Sequence, residues 1–154
     1  MTEREGVRDL MTEYGSLIDS NELEKWLDLF SDKSSYQIIS RENIDQGLSQ
    51  ALIYCDTKDM IIDRVTSYRK VNEYNLHTDC HVIGSIRFVA QDDPVWKIEA
   101  SYSLYQTNLE GVSRLFSVGR YHNTVVFEDG QPRFRDVKVV VETAAIPTLL
   151  ATPI

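Results

Sequence analysis

The segment LHTDCHVIG, residues 76–84, places His77, Cys80 and His81 within five positions. Imidazole and thiol at that density raise the question of a metal site. Two histidines four apart converge on a helix, whereas on a strand they share a face at longer separation. A closed zinc site takes three or four ligands, and only Cys55 and His122 remain to complete one. A Rieske cluster needs paired Cys-x-His and Cys-x-x-His segments, which are absent. No two-His-one-carboxylate pattern stands out either. The expectation is that this chain supplies no metal ligand and holds no cofactor.

Organic catalysis leaves equally few traces. G-x-G-x-x-G, P-loop and G-x-S-x-G strings are missing, so dinucleotide, nucleoside triphosphate and serine-hydrolase chemistry lack support. What remains is acid–base chemistry inside a fold that buries Tyr14, Tyr36, Asp63, His81 or Tyr102. There a His or Asp would serve as general base while tyrosine hydroxyls polarise a carbonyl. That reading describes a stand-alone isomerase or dehydratase acting on a small molecule. The plainer reading, favoured for each residue singly, makes the tyrosines hydrogen-bonded core and Asp63 with Arg64 a structural ion pair or interface contact.

The elements that would position these residues begin with a capping box, Thr2 with Glu5. Val7, Leu10, Met11, Tyr14 and Ile18 follow at helical spacing, giving a helix to about Ile18. Asn21 with Glu24 repeats the start signal ahead of Leu23, Trp26, Leu27 and Phe30, a second amphipathic stripe. Strands are expected at 34–40 and 47–55. A third helix capped by Asp56 or Thr57 buries Ile61, Val65 and Tyr68 and fades near Val71.

Four long strands follow: CHVIGSIRFVA, VWKIEASYSLYQT, RLFSVGRYHNTVVFE and RFRDVKVVVET. Trp96, Ile98, Ala100, Tyr102 and Leu104 alternate with polar residues, as in an antiparallel strand with one buried face. Asp129-Gly130 signals a hairpin, and Gly119 a bulge or bend. The class is α+β, with N-terminal helices packed on a curved antiparallel sheet.

With 154 residues, one domain spanning 1–154 is expected, and no apolar run reaches the roughly 18 residues of a membrane span. The N-terminus lacks an export signal, and two cysteines, Cys55 and Cys80, read as free thiols, so a cytoplasmic location is expected. A net charge of −8 disfavours nucleic acid and leaves proteins or small molecules as partners. After Glu142 no charged side chain follows. Ile146, Leu149, Leu150 and Ile154, interrupted by Pro147 and Pro153, should not stay in water. Residues 144–154 are expected to pack in extended form on their own sheet or across a subunit interface.

Two stretches carry a resemblance. YGSLIDSNELEKWLDLFSDKSSYQI is similar to the opening of the small (β) subunits of bacterial aromatic-ring-hydroxylating dioxygenases. DMIIDRVTSYRKVNEYNLHTDCHVIGSIRF resembles their D-R-[VI] helix, loop and sheet-opening His, carried here by Asp63, Arg64, Val65 and His81. The likeness covers essentially the whole chain. It is nearest to small subunits of terephthalate-dioxygenase and salicylate-hydroxylase type, enzymes of aromatic carboxylates. Many members carry Arg immediately before the His, where Cys80 stands here, so no contact of that Arg carries over.

The resemblance implies a cone-shaped, nuclear-transport-factor-like (cystatin-like) fold without iron of its own. A Rieske [2Fe-2S] cluster and mononuclear Fe(II) would sit in a large α subunit of an α3β3 assembly, fed from NAD(P)H through a reductase. On that basis Asp63, Arg64, His81, Ile146, Leu149, Leu150 and Ile154 are structural or interface candidates. LHTDCHVIG would then be a loop entering the first long strand.

Overall fold

The computed structural model describes residues 1–71, 76–92, 94–142 and 153–154. Helix α1 (Glu3–Asp19) opens with the expected capping box: Glu5 N–H donates to Thr2 Oγ1 at 3.2 Å, and Thr2 N–H to Glu5 Oε2 at 2.6 Å. Val7, Leu10, Met11, Tyr14 and Ile18 form its buried stripe.

The second start signal is displaced. Asn21 adopts a left-handed φ of 59°, which asparagine tolerates, and so reverses the chain rather than capping a helix. Glu22 takes the cap position without a side-chain bond, and α2 covers only Leu23–Leu27. Phe30 leaves the helical stripe and begins β1 (Phe30–Ser40). The predicted strand at 47–55 shrinks to β2 (Ile53–Cys55), because α3 (Arg41–Asp45), capped by Ser40 Oγ accepting from Asn43 N–H, turns the chain first.

Helix α4 (Lys58–Val71) starts at Thr57, whose Oγ1 accepts from Met60 N–H at 3.2 Å, and buries Ile61, Val65 and Tyr68. The stretch CHVIGSIRFVA is two strands, β3 (His77–Ile83) and β4 (Arg87–Asp92), and both pair with β5 (Val95–Asn108). The break falls at Gly84, where an added Cβ would lie 2.8 Å from Ser101 Oγ. β6 (Ser113–Glu128) and β7 (Gln131–Val141) join through Asp129-Gly130, both at positive φ (51° and 78°), as the hairpin signal requires.

Among the described residues the sheet has seven strands and runs β2-β1-β7-β6-β5-β3, with β4 sharing β5's outer edge. One pairing departs from the antiparallel expectation: β1 lies parallel to β7, Tyr36 opposite Val137 through Ser40 opposite Val141. Gly119 is not a bulge, since it stays in register between Tyr102 and Val141. The β6 register shifts fall elsewhere, at Leu104/Tyr105 against β5, where Phe116 is the extra residue, and at Thr124/Val125 against β7. The α+β class stands, with helices packed on a curved mixed sheet.

Candidate functional site

Strand alternation decides what LHTDCHVIG does. This segment is an ordered edge strand, not a loop, and its residues alternate in burial. His77, Asp79, His81 and Ile83 turn toward the helices, while Cys80 is exposed on the other face. The histidines and Cys80 therefore cannot converge on one ion, and no group of three or more His, Cys, Asp or Glu with metal-holding geometry occurs among the described residues. Cys55 is buried and also free.

His81 packs against α1 near Gly15, where an added Cβ would sit 3.3 Å from His81 Cβ. Its Nδ1 lies 2.5 Å from Asp19 Oδ1, and its main-chain N–H donates to Asp19 Oδ2 at 2.8 Å. The imidazole has no solvent-exposed surface, and its Nε2 is buried without a partner among the described residues. An Asp–His pair is the arrangement of a general base, but here the free nitrogen is itself buried. Asp19 belongs to this site and carries no local sequence signal, being 62 positions from its partner.

Beside it, Asp79 Oδ1 lies 3.3 Å from His77 Nε2. Burial raises the Asp79 carboxyl above its ordinary value, outweighing the opposing effect of His77 and His81. An acid raised in this way holds its proton more tightly folded than unfolded. Stability is thus lost as pH climbs from the ordinary carboxylate value of 3.8 through the raised one. Asp79→Asn is expected to melt at or above the wild-type temperature at pH 7, the gap closing on acidification below about pH 4. Thermal melts across that range check it, and a variant less stable at neutral pH than at acid pH, relative to wild type, would contradict it.

Asp63 and Arg64 are exposed on α4 and form no ion pair within the chain among the described residues. Neighbouring helix positions diverge around the axis, so the two side chains do not face each other. Within the chain, α4 is tied down by Arg69. Its guanidinium donates to Asn21 Oδ1 and O (2.6 and 2.7 Å) and to both Glu24 carboxylate oxygens (2.9 and 2.8 Å), clamping α4 to the α1–α2 turn.

The cone interior is an aromatic cluster. Tyr14 packs edge-on against Tyr121 and Phe134 at 5.4 and 5.5 Å and lies 5.8 Å from Trp26; Tyr102 is 4.8 Å from Tyr121. Burial holds the Tyr14, Tyr36 and Tyr121 phenols well above their usual range, and that of Tyr102 at about 12, so all remain O–H donors. Of the interior candidates, Tyr14, Tyr36, Tyr102 and His81 face inward and Asp63 does not.

The tail's last residue reaches this cluster. Ile154 is fully buried; Tyr14 Oη donates to its main-chain oxygen at 2.5 Å, Tyr36 Oη to the same oxygen at 3.2 Å, and Ile154 N–H to Tyr36 Oη at 3.0 Å. Pro153 closes the adjoining apolar pocket against Trp26, Cys55, Ile61 and Tyr68, leaving room for about one water molecule. Ile146, Leu149 and Leu150 lie outside the described residues. The Tyr14 and Tyr36 hydroxyls that could polarise a carbonyl are thus engaged by the chain itself, which leaves the isomerase reading with less support.

Comparison with known proteins agrees with this geometry. The model of the SnoaL-like domain matches residues 1–138. The small subunit of anthranilate 1,2-dioxygenase from Burkholderia cepacia is 35% identical, covering 94% of this chain and 90% of that protein. A β subunit of the terminal oxygenase component of terephthalate 1,2-dioxygenase from Comamonas sp is 26% identical, covering 92% of each. A crystal structure assigned to the β subunit of an aromatic-ring-hydroxylating dioxygenase from Novosphingobium aromaticivorans superposes with TM-score 0.89 at 37% identity, covering 97% of this chain and 95% of that one. The D-R-V string points the same way, although β3 begins at His77 and His81 lies within it rather than opening the sheet. This chain belongs to the SnoaL-like, nuclear-transport-factor-like family and, within it, to the small (β) subunits of aromatic-ring-hydroxylating dioxygenases, oxidoreductase components of aromatic catabolism that work with a large (α) subunit.

Proposed function

We infer that the chain acts as a single domain, residues 1–154, in the non-catalytic half of an α3β3 oxygenase that hydroxylates an aromatic carboxylate. The observation that carries the substrate class is the 35% identity, over nearly all of both chains, to a small subunit whose enzyme is named for anthranilate. In this reading the Rieske cluster and mononuclear iron reside in the α subunit, since His77, Cys80 and His81 do not converge. Electrons come from NAD(P)H through a reductase, in the cytoplasm. The exposed Asp63 and Arg64, and the apolar residues Ile146, Leu149 and Leu150, serve as contacts to neighbouring subunits.

Co-production with the large subunit and reductase, followed by a panel of anthranilate, terephthalate, salicylate, benzoate, naphthalene and biphenyl, tests this. Hydroxylation confined to the carboxylates is expected. Turnover confined to the uncharged hydrocarbons would overturn the substrate class.

A further inference from the structure

The interior of the cone is built with more hydrogen-bond donors than a packed core needs. Tyr14 and Tyr36 aim two hydroxyls at one oxygen, and Tyr36 also accepts from the N–H of the same residue, Ile154. Among their ring neighbours, Tyr121 Oη and Trp26 Nε1 are buried with no partner among the described residues. Unpartnered donors in an apolar interior are costly, and they are kept where something polar is to be held. Below the hydroxyl pair lies the apolar wall of Ile53, Ile61, Val65 and Tyr68, reached by Pro153.

We propose that the Tyr14–Tyr36 pair is a binding site for a small acyl compound, a carboxylic acid or amide on a branched or ring-shaped apolar body, which the chain fills in cis with Pro153–Ile154. The two hydroxyls grip the acyl oxygen as an oxyanion hole grips its carbonyl, and the apolar wall takes the body. Because both phenols stay protonated, the site donates to a neutral amide and to a carboxylate alike. Occupation by Ile154 keeps the cavity closed in a subunit that leaves the chemistry to its partner.

The test is a chain ended at Thr152, titrated with N-acetyl-L-isoleucine and, as a polar control, N-acetyl-L-aspartate, and followed by calorimetry and thermal melting. Saturable binding of the isoleucine compound, with a higher melting temperature and no response in the intact chain, is the expected result. Tyr14→Phe in the shortened chain should weaken that binding about tenfold, the effect of one lost buried hydrogen bond. Should the shortened chain be unfolded by itself, recovery of its native circular dichroism on adding the compound becomes the readout. No saturable binding and no recovery at millimolar concentration, binding indifferent to Tyr14→Phe, or equal binding of the aspartate compound would each overturn the proposal.

Discussion

Asp19→Ala is expected to destabilise the fold by about 3 kcal/mol, a loss of roughly 6–12 °C in melting temperature for a chain of this size. Removing the Asp19 carboxylate leaves its two partners on His81, Nδ1 and the main-chain N–H, without their acceptor, and the His81 side chain has no exposed surface from which to recruit water. That N–H lies on the edge strand that α1 covers. The figure stays below the sum for two fully buried donors because a quarter of the Asp19 side chain remains exposed. Asp19→Asn, which keeps an acceptor for the main chain, should lose about half as much. Chemical denaturation of the three proteins decides the matter, and a loss under about 1 kcal/mol for Asp19→Ala would show the contact to be worth no more than a solvent-exposed one.

The second large effect concerns backbone packing. A Cβ at Gly119 would lie 2.2 Å from Val140 O and 2.8 Å from Tyr102 Oη. The first neighbour is a main-chain atom of the β6–β7 ladder and cannot retreat without breaking it. Gly119→Ala should therefore cost about 3 kcal/mol, the upper end for overpacking. Gly6→Ala is the contrasting case: it sits in α1, its nearest neighbour would be 3.7 Å away, and the change should stabilise by about 0.5–1 kcal/mol. Melting both variants beside wild type is enough; equal signs would refute the steric argument.

How far the sequence could be read depended on whether the deciding interaction was local. Thr2 and Glu5 announce α1 because both halves of the capping box lie within one turn. Asp129-Gly130 announces its hairpin for the same reason. Asn21 misleads because asparagine suits a helix cap and a left-handed reversal equally. Phe30 continues the helical stripe of α2 by spacing, yet its strand register opposite Phe134 wins through a contact far along the chain. The break after Ile83 falls at Gly84, whose close neighbour Ser101 is distant in sequence and leaves no room for a side chain there.

The site was legible in its residue types and not in its pairings. Tyr14, Tyr36, Tyr102 and His81 are marked by type, but Asp19, Tyr121 and Trp26 become significant only when α1, α2 and β6 meet. Asp63 and Arg64 stood out through family resemblance, whereas the clamp within the chain is Arg69, whose partners lie 45 and 48 positions away.

Membership among the small subunits is tested most directly by native mass spectrometry of the oxygenase purified through a tag on its large subunit, with this chain produced alongside it untagged. The account predicts that the chain is retained in a one-to-one ratio with the large subunit. A large subunit that emerges complete and active by itself, with this chain left free in the unbound fraction, would contradict it.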